Sequence, residues 1–437
     1  MQVYIHTFGC QMNMLDSDKM VALLSRAGHV RVDAPEEADV ILVNTCSVRA
    51  KAVQKLYSLL GRLKDRRDII VGVTGCVAQH EREALATRFP FIKLVMGPDA
   101  IPRIVTLLEE ARHAPSVVVD VDFQEGLEYP FVAALPPESG TPVPTAFVTI
   151  QKGCDNHCAY CIVPTTRGAE VSRRPEEILA EVAELASRGV REVTLLGQNV
   201  NAYGKKAGFG TTFPELLRQV CAIEGIRRVR FTTSHPRDLS PELIAAHAEL
   251  PELCPHIHLP VQSGSTRILR RMGRGYSREA YLDKVAALRD AVPGMAITTD
   301  FIVGYPGETE RDFEETIDLL EQVRFDASFS FIFSPRPGTP AARLPDPIPR
   351  AEGTRRLIHL QAIQRTISTE NNQQQVGTET TVLVDGTSRQ GTGDVTGRTP
   401  ENRTVNLAGS RELIGRFIRV RVTGASVNSL RGEQISS

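Results

Sequence analysis

The chain has no surplus of either charge, no long apolar run and too few cysteines to staple a fold. Its formal net charge is -1, so overall charge names no partner. Spanning a bilayer takes about 18 consecutive apolar residues, and no stretch approaches that. The opening MQVYIHTFGC has neither a basic region nor an apolar one behind it, so a cytoplasmic protein with no membrane partner is expected. Eight scattered cysteines do not make a disulfide scaffold. Clustered cysteines in a reducing compartment more often bind metal or do chemistry. Internal repeats and long low-complexity tracts are also missing. At 437 residues the chain is too long for one ordinary core, and several domains are expected.

What is present falls into blocks. Over 1–115, apolar β-rich runs (VYIHTFGC, ADVILVNTC, DIIVGVTGC) alternate with the helical patterns SDKMVALLSRAG and AKAVQKLYSLLGRLK. That is the βαβ rhythm of a Rossmann-like parallel sheet. Residues 116–144 include a Pro- and Gly-rich stretch and read as a linker. Over 145–372 six strand candidates follow: TAFVTIQ, EVTLLG, RVRFTTS, HIHLPVQ, ITTDFIVG and ASFSFIF. Helix start signals stand between them, with Pro175 ahead of two acids and a Thr309–Asp312 capping box. Six βα units predict a partial (β/α)6 TIM barrel with its chemistry at the carboxyl ends of the strands. The block 375–437, with TTVLVDG, RTVNLAG and FIRVRVTGA, predicts a small β-barrel.

Two sets of three cysteines carry the chemical signal. Cys10, Cys46 and Cys76 each close a predicted parallel strand, so the sheet brings them to one edge, where ligands bind in doubly wound folds. Taken singly, each reads as a small buried apolar residue. Three at equivalent positions point to a cluster. Cys154, Cys158 and Cys161 form Cx3Cx2C directly after a strand. Three thiolates leave one iron of a cubane [4Fe-4S] cluster free for another ligand. Two other readings exist: a zinc site completed by His157, or a thioredoxin-like Cys158-Ala159-Tyr160-Cys161. Zinc, however, would close its fourth position, and a dithiol leaves Cys154 unexplained. Cys221 and Cys254 read as structural.

The Cx3Cx2C loop resembles that of radical S-adenosylmethionine enzymes. The segments HTFGCQMNMLDSD, NTCSVRAKAVQKLYSLLG, QKGCDNHCAYCIVPTTRGAEVSRR, LLGQNVNAYG, HLPVQSGS and TTDFIVGYPGETE, with a TRAM-like β-domain behind them, are similar to the methylthiotransferases. The resemblance covers nearly the whole chain. It implies two [4Fe-4S] clusters, the radical-generating one on Cys154, Cys158 and Cys161 and an auxiliary one on Cys10, Cys46 and Cys76. S-adenosylmethionine on the first cluster would yield a 5′-deoxyadenosyl radical. Sulfur on the second would be methylated by another S-adenosylmethionine and passed to the substrate.

TFGCQMN and CSVRAKAVQKLYSLLG are similar to the subgroup acting on C2 of isopentenyl-adenosine beside the anticodon (position 37) of tRNA. The implied partners are an anticodon stem-loop bearing that base, an electron donor and a sulfur-delivery protein, with the enzyme a monomer. Siblings act on threonylcarbamoyl-adenosine or on an aspartate of a ribosomal protein. An RNA-binding zinc protein without catalysis is the non-enzymatic alternative.

Further contacts to S-adenosylmethionine are expected from Tyr160 through its backbone, and from Gln198 and Asn199, whose GQN stands where relatives carry a GGE-like loop. Arg173 is a candidate for the carboxylate, and Ser234, Gln262 and Asp300 for the ribose or methionine moiety. A buried Asp300 requires a partner. For RNA, the segment holding Arg267, Arg270, Arg271, Arg274 and Arg278 and the lysine-free last block with Arg389, Arg398 and Arg403 offer guanidinium groups for phosphates and bases. Phe8 and Met12, beside Cys10, read as core.

Overall fold

The computed structural model describes residues 1–66, 68–124, 129–135, 143–388 and 393–435. Arg389 lies outside them. Near the N-terminus, six parallel strands form one sheet in the order Val30–Arg31, Gln2–Phe8, Val40–Thr45, Ile70–Thr74, Leu94–Met96, Val118–Asp120. Parallel neighbours need crossovers, and helices Gln11–Arg26 and Ala50–Leu63 supply two of them. Side chains alternate along a strand. Ile41 and Val43 therefore join Leu56 and Leu60 in one apolar layer, while Val40 and Leu42 join Met20 and Leu24 in another. This is the Rossmann-like arrangement expected. The sheet runs past residue 115, because Val118–Asp120, inside the stretch read as linker, pairs with Leu94–Met96.

All six strand candidates of the core exist and lie parallel. Thr145–Thr149, Glu192–Leu196 and Arg228–Thr232 form one three-stranded sheet, and His256–His258, Ala296–Val303 and Ala327–Ile332 another. The two are joined where Val229 donates to Glu252 O at 2.7 Å and accepts from Cys254 N at 3.0 Å. Among the described residues nothing pairs Ala327–Ile332 back to Thr145–Thr149, so the barrel is partial and open on one side. Helix Pro175–Ser187 starts on its proline, and Thr309 and Asp312 cap helix Glu310–Val323 reciprocally.

Helix Arg350–Gln373 leads into a closed barrel of five strands: Glu379–Thr387, Asp394–Arg398, Thr404–Ala408, Leu430–Gln434 and Phe417–Ala425. Its interior is Val382, Val384, Val395, Val405, Leu407 and Val420. The barrel sits on the core through buried arginines. Arg228 donates to Arg398 O and Thr381 O, and Arg230 to Pro400 O and Thr399 O, each at 2.7 Å. No helix among the described residues is long and apolar enough to cross a membrane.

Candidate active site

Cys10, Cys46 and Cys76 follow three adjacent strands of the N-terminal sheet. Cys10 is the N-cap of helix Gln11–Arg26, and its N–H donates to Asn13 Oδ1 at 3.4 Å. Asn13 and Asn44 tie this turn to the next strand, Asn13 Nδ2 donating to Asn44 Oδ1 at 3.0 Å and Asn44 Nδ2 to Asn13 O at 2.8 Å. Gly75, with φ 85°, turns the chain into Cys76; a Cβ there would lie 2.2 Å from Asn44 Oδ1, so only glycine fits. The Cys10 and Cys46 thiols share a hydrogen bond that holds Cys10 below its ordinary range and Cys46 above it; the nearby Arg167 charge also favours the Cys10 thiolate. Burial raises Cys76, against the same arginine.

The second set lies in the loop after Gln151–Lys152. Gly153 has φ 67°, and a Cβ there would stand 1.9 Å from Ala169 O. Polar hydrogens point at each sulfur, two from the loop's own backbone and one from outside it: Asn156 N–H at Cys154 Sγ, Val163 N–H at Cys161 Sγ and Arg274 Nη1 at Cys158 Sγ, each 3.4 Å. Burial lifts the Cys154 thiol and pushes Cys161 up to about 12. A positive metal cluster would reverse that, since a coordinating thiol is deprotonated outright. No three His, Cys, Asp or Glu among the described residues are arranged to hold a single metal ion. A cubane needs thiolates spread around its corners instead.

Arg167 ties the segment after the second set to the first set. It ends the short helix Val163–Arg167 that begins just after Cys161, yet its Nε donates to Cys76 Sγ at 3.3 Å and its Nη2 to Asp16 at 2.6 Å. Its side chain is 6% exposed and that of Asp16 5%, so this ion pair is sealed between sheet and barrel. Nearby, Lys152 pairs with Asp99 and donates to Gln124 O, and Lys19 donates to Thr149 Oγ1 at 2.8 Å.

The remaining candidates line the strand ends. Asn199 donates to Asp238 at 2.8 Å but leaves its own Oδ1 buried without a partner, as are Ser234 Oγ and both amide atoms of Gln151. Burying such groups unpaired is costly. Three of them on the ends of successive strands fit a polar ligand such as S-adenosylmethionine. Gln198 is half-buried in the same turn. Gln262 is buried and Thr233, beside Ser234, is left-handed as well (φ 76° and 74°), conformations that a non-glycine residue adopts only under constraint. Asp300 finds its partner in His258, with Nε2 to Oδ1 at 3.5 Å. Tyr160 lies in the three-cysteine loop, its hydroxyl accepting from Arg274 at 3.4 Å.

Two expectations change. Arg173 is held by Glu181 and by Glu177 at 3.2 Å, so its charge is committed to helix Pro175–Ser187 instead of being free for a carboxylate. The arginine-rich segment is largely structural: Arg267 pairs with Asp312, Arg278 with Asp318, and Arg274 is buried against Cys158, Tyr160 and Pro260 O. Arg270 and, despite its ion pair, Arg267 are the exposed ones. In the small barrel, Arg403 is turned to Asp326 and Asn372, while Arg398 contacts Asn402 at 3.2 Å. Cys221 and Cys254 are buried, as structural residues should be.

The partial barrel and its Cx3Cx2C loop are those of the Radical SAM superfamily, whose model matches residues 148–320. Models of an uncharacterized protein family, UPF0004, and of the TRAM domain match residues 2–97 and 373–435. Three proteins named tRNA-2-methylthio-N(6)-dimethylallyladenosine synthase are close in sequence. That of Alkalilimnicola ehrlichii is 50% identical, covering 99% of this chain and 97% of its own. Those of Geobacter metallireducens (51%; 99% and 98%) and Anaeromyxobacter sp. (52%; 99% and 94%) are alike throughout. The chain belongs to this synthase family.

Among solved structures, the radical S-adenosylmethionine methyltransferase TsrM from Kitasatospora setae, with cobalamin and a [4Fe-4S] cluster bound, shares the fold. Its TM-score is 0.55 at 14% identity, over 78% of this chain and 77% of that one. The cobalamin-dependent radical enzyme OxsB does so at 0.53 and 14%, over 84% and 57%.

Proposed function

We propose that the protein is a tRNA methylthiotransferase that places a methylthio group on C2 of isopentenyl-adenosine at position 37, consuming two S-adenosylmethionine molecules. Cys154, Cys158 and Cys161 would hold one [4Fe-4S] cluster, and Cys10, Cys46 and Cys76 a second. The observation that supports the reading is the pair of three-thiol sets, with Arg167, on the short helix just after Cys161, reaching over to Cys76 and Asp16 beside the other set. C2 of an adenine bears an unactivated C–H with no acidic proton for a base to take. With S-adenosylmethionine and the clusters bound, the chemistry supplied is hydrogen abstraction by a 5′-deoxyadenosyl radical and sulfur transfer.

The chain's own residues bind, orient and exclude water. Arg274 and the two loop amides orient the radical-site thiolates, and Arg167 compensates the charge of the auxiliary ones. Gln151, Asn199 and Ser234 offer unpaired polar atoms to the amino, carboxylate and ribose groups of S-adenosylmethionine. Tyr160, Gln198, Gln262 and the His258–Asp300 pair complete that rim. The five-stranded barrel takes the RNA, with electron-donor and sulfur-delivery proteins as further partners. The target base has to leave its stack, which a loop permits at less cost than a duplex.

The test is anaerobic. The protein is reconstituted with iron and sulfide and given S-adenosylmethionine, a reductant and an isopentenyl-adenosine stem-loop, and the nucleosides are analysed by mass spectrometry. Methylthiolated nucleoside with 5′-deoxyadenosine is expected. 5′-Deoxyadenosine alone, with product from a threonylcarbamoylated stem-loop or the ribosomal protein, would move the substrate to a sibling's.

A further inference from the structure

The last strand of the open barrel carries a feature that the chemistry above leaves unused. In Ala327–Ile332, Phe329 is 55% and Phe331 41% exposed. Their strand has a single pairing neighbour among the described residues, Ala296–Val303. Leaving two benzyl groups in water forgoes the stabilisation that burying them would give. The face they occupy is fixed by their neighbours. Ser330 accepts from Gln361 at 3.2 Å and Ile332 lies against Gly353, both on helix Arg350–Gln373 outside the barrel. Alternation then turns Phe329 and Phe331 to the inner side.

That inner side adjoins the radical loop, and the chain just beyond it touches the turn after Cys46. Phe329 is in register with Asp300 and Phe331 with Ile302. Ile302 packs in one apolar cluster with Tyr160, which stands in the three-cysteine loop. The Phe329 ring meets His258 edge-on at 6.3 Å, and His258 in turn faces Asp300. Just beyond the strand, Arg336 donates to Val48 O at 2.6 Å, two residues after Cys46, and Val48 is itself 53% exposed. The two rings therefore stand on a face that adjoins the radical loop, with a polar His–Asp pair at its edge and, beyond the strand, a contact to the segment after Cys46.

We propose that Phe329 and Phe331 are the platform on which the everted purine and its short branched alkyl group lie. This rests on the proposed reaction. A planar base with an apolar substituent is the occupant that such a surface fits, because rings stack on any base and Phe offers nothing to a phosphate. The same position would present C2 to both cysteine sets at once.

The experiment compares reconstituted wild-type, Phe329→Ala, Phe331→Ala and Phe329→Tyr proteins with S-adenosylmethionine at one fixed salt concentration. Fluorescence anisotropy gives affinities for an anticodon stem-loop carrying isopentenyl-adenosine and for the same RNA abasic at that position. Each alanine variant should lose roughly tenfold or more on the isopentenyl-adenosine RNA. Neither should lose affinity for the abasic RNA, and Phe329→Tyr should retain the wild-type preference. Unchanged affinities, equal losses on both RNAs, or a wild type that does not distinguish them would overturn the platform. If wild type makes no methylthiolated product while the base-dependent discrimination and its loss persist, the platform stands and the reaction assignment falls.

Discussion

At the level of single side chains, the two cysteine sets should separate in function. Cys158→Ala is expected to abolish formation of 5′-deoxyadenosine, whereas Cys46→Ala should leave some of it and yield no methylthiolated nucleoside; chromatography of both products checks this. Arg167 has a structural cost of its own. Arg167→Met leaves Asp16 buried without its cation, and losing one partner of a buried pair typically costs about 3–5 kcal/mol. Urea unfolding of the variant should show a loss of that size. All six cysteines were legible, because a short spacing or a shared strand end brings each set together in the sequence itself. Arg167 and Arg274 were not. Their sulfur partners lie 91 and 116 positions away, and nothing in a run such as TTRGAE distinguishes a buried charge from a surface one. The free-carboxylate role expected of Arg173 failed for a related reason: Glu177 and Glu181 stand one and two helical turns on and take its charge.

Among the elements, the glycine turns ahead of the cysteines are the points where sequence dictates geometry most tightly. Gly153→Ala puts a methyl group against Ala169 O in a backbone conformation with positive φ. The variant is expected to reconstitute with about half the iron of wild type, measured by iron assay, since only the Cys154–Cys161 loop is disturbed. Strand and helix patterns of the core were readable: runs rich in β-branched and aromatic residues mark the strands, and Pro175 and Thr309 mark helix starts. The small barrel was only partly readable. DVTGR and LRGEQ form two of its strands, but each carries a glycine where β-branched residues would have signalled a strand. Packing is the cause: a Cβ at Gly397 or Gly432 would lie 2.2 Å from an atom of the neighbouring strand. Val118–Asp120 was hidden by its length, three residues being too short to show alternation.

Over the whole molecule, the joints between blocks are made of buried cations. Arg230 pairs with Glu192 at 2.9 Å while holding the carbonyls of Thr399 and Pro400. Arg230→Met should loosen the small barrel, and faster hydrogen exchange across residues 394–408, with the core strands unchanged, would show it. At the other joint, the core contributes Lys152, Thr149 and Arg167, and the N-terminal sheet and its helices contribute Asp99, Lys19, Asp16 and Cys76. Cutting the chain between them would bare two cations on one side and two carboxylates on the other, each shaped for a partner no longer there. The N-terminal block is therefore not a detachable accessory to a self-sufficient catalyst, and swapping it between relatives requires carrying both halves of every one of these pairs.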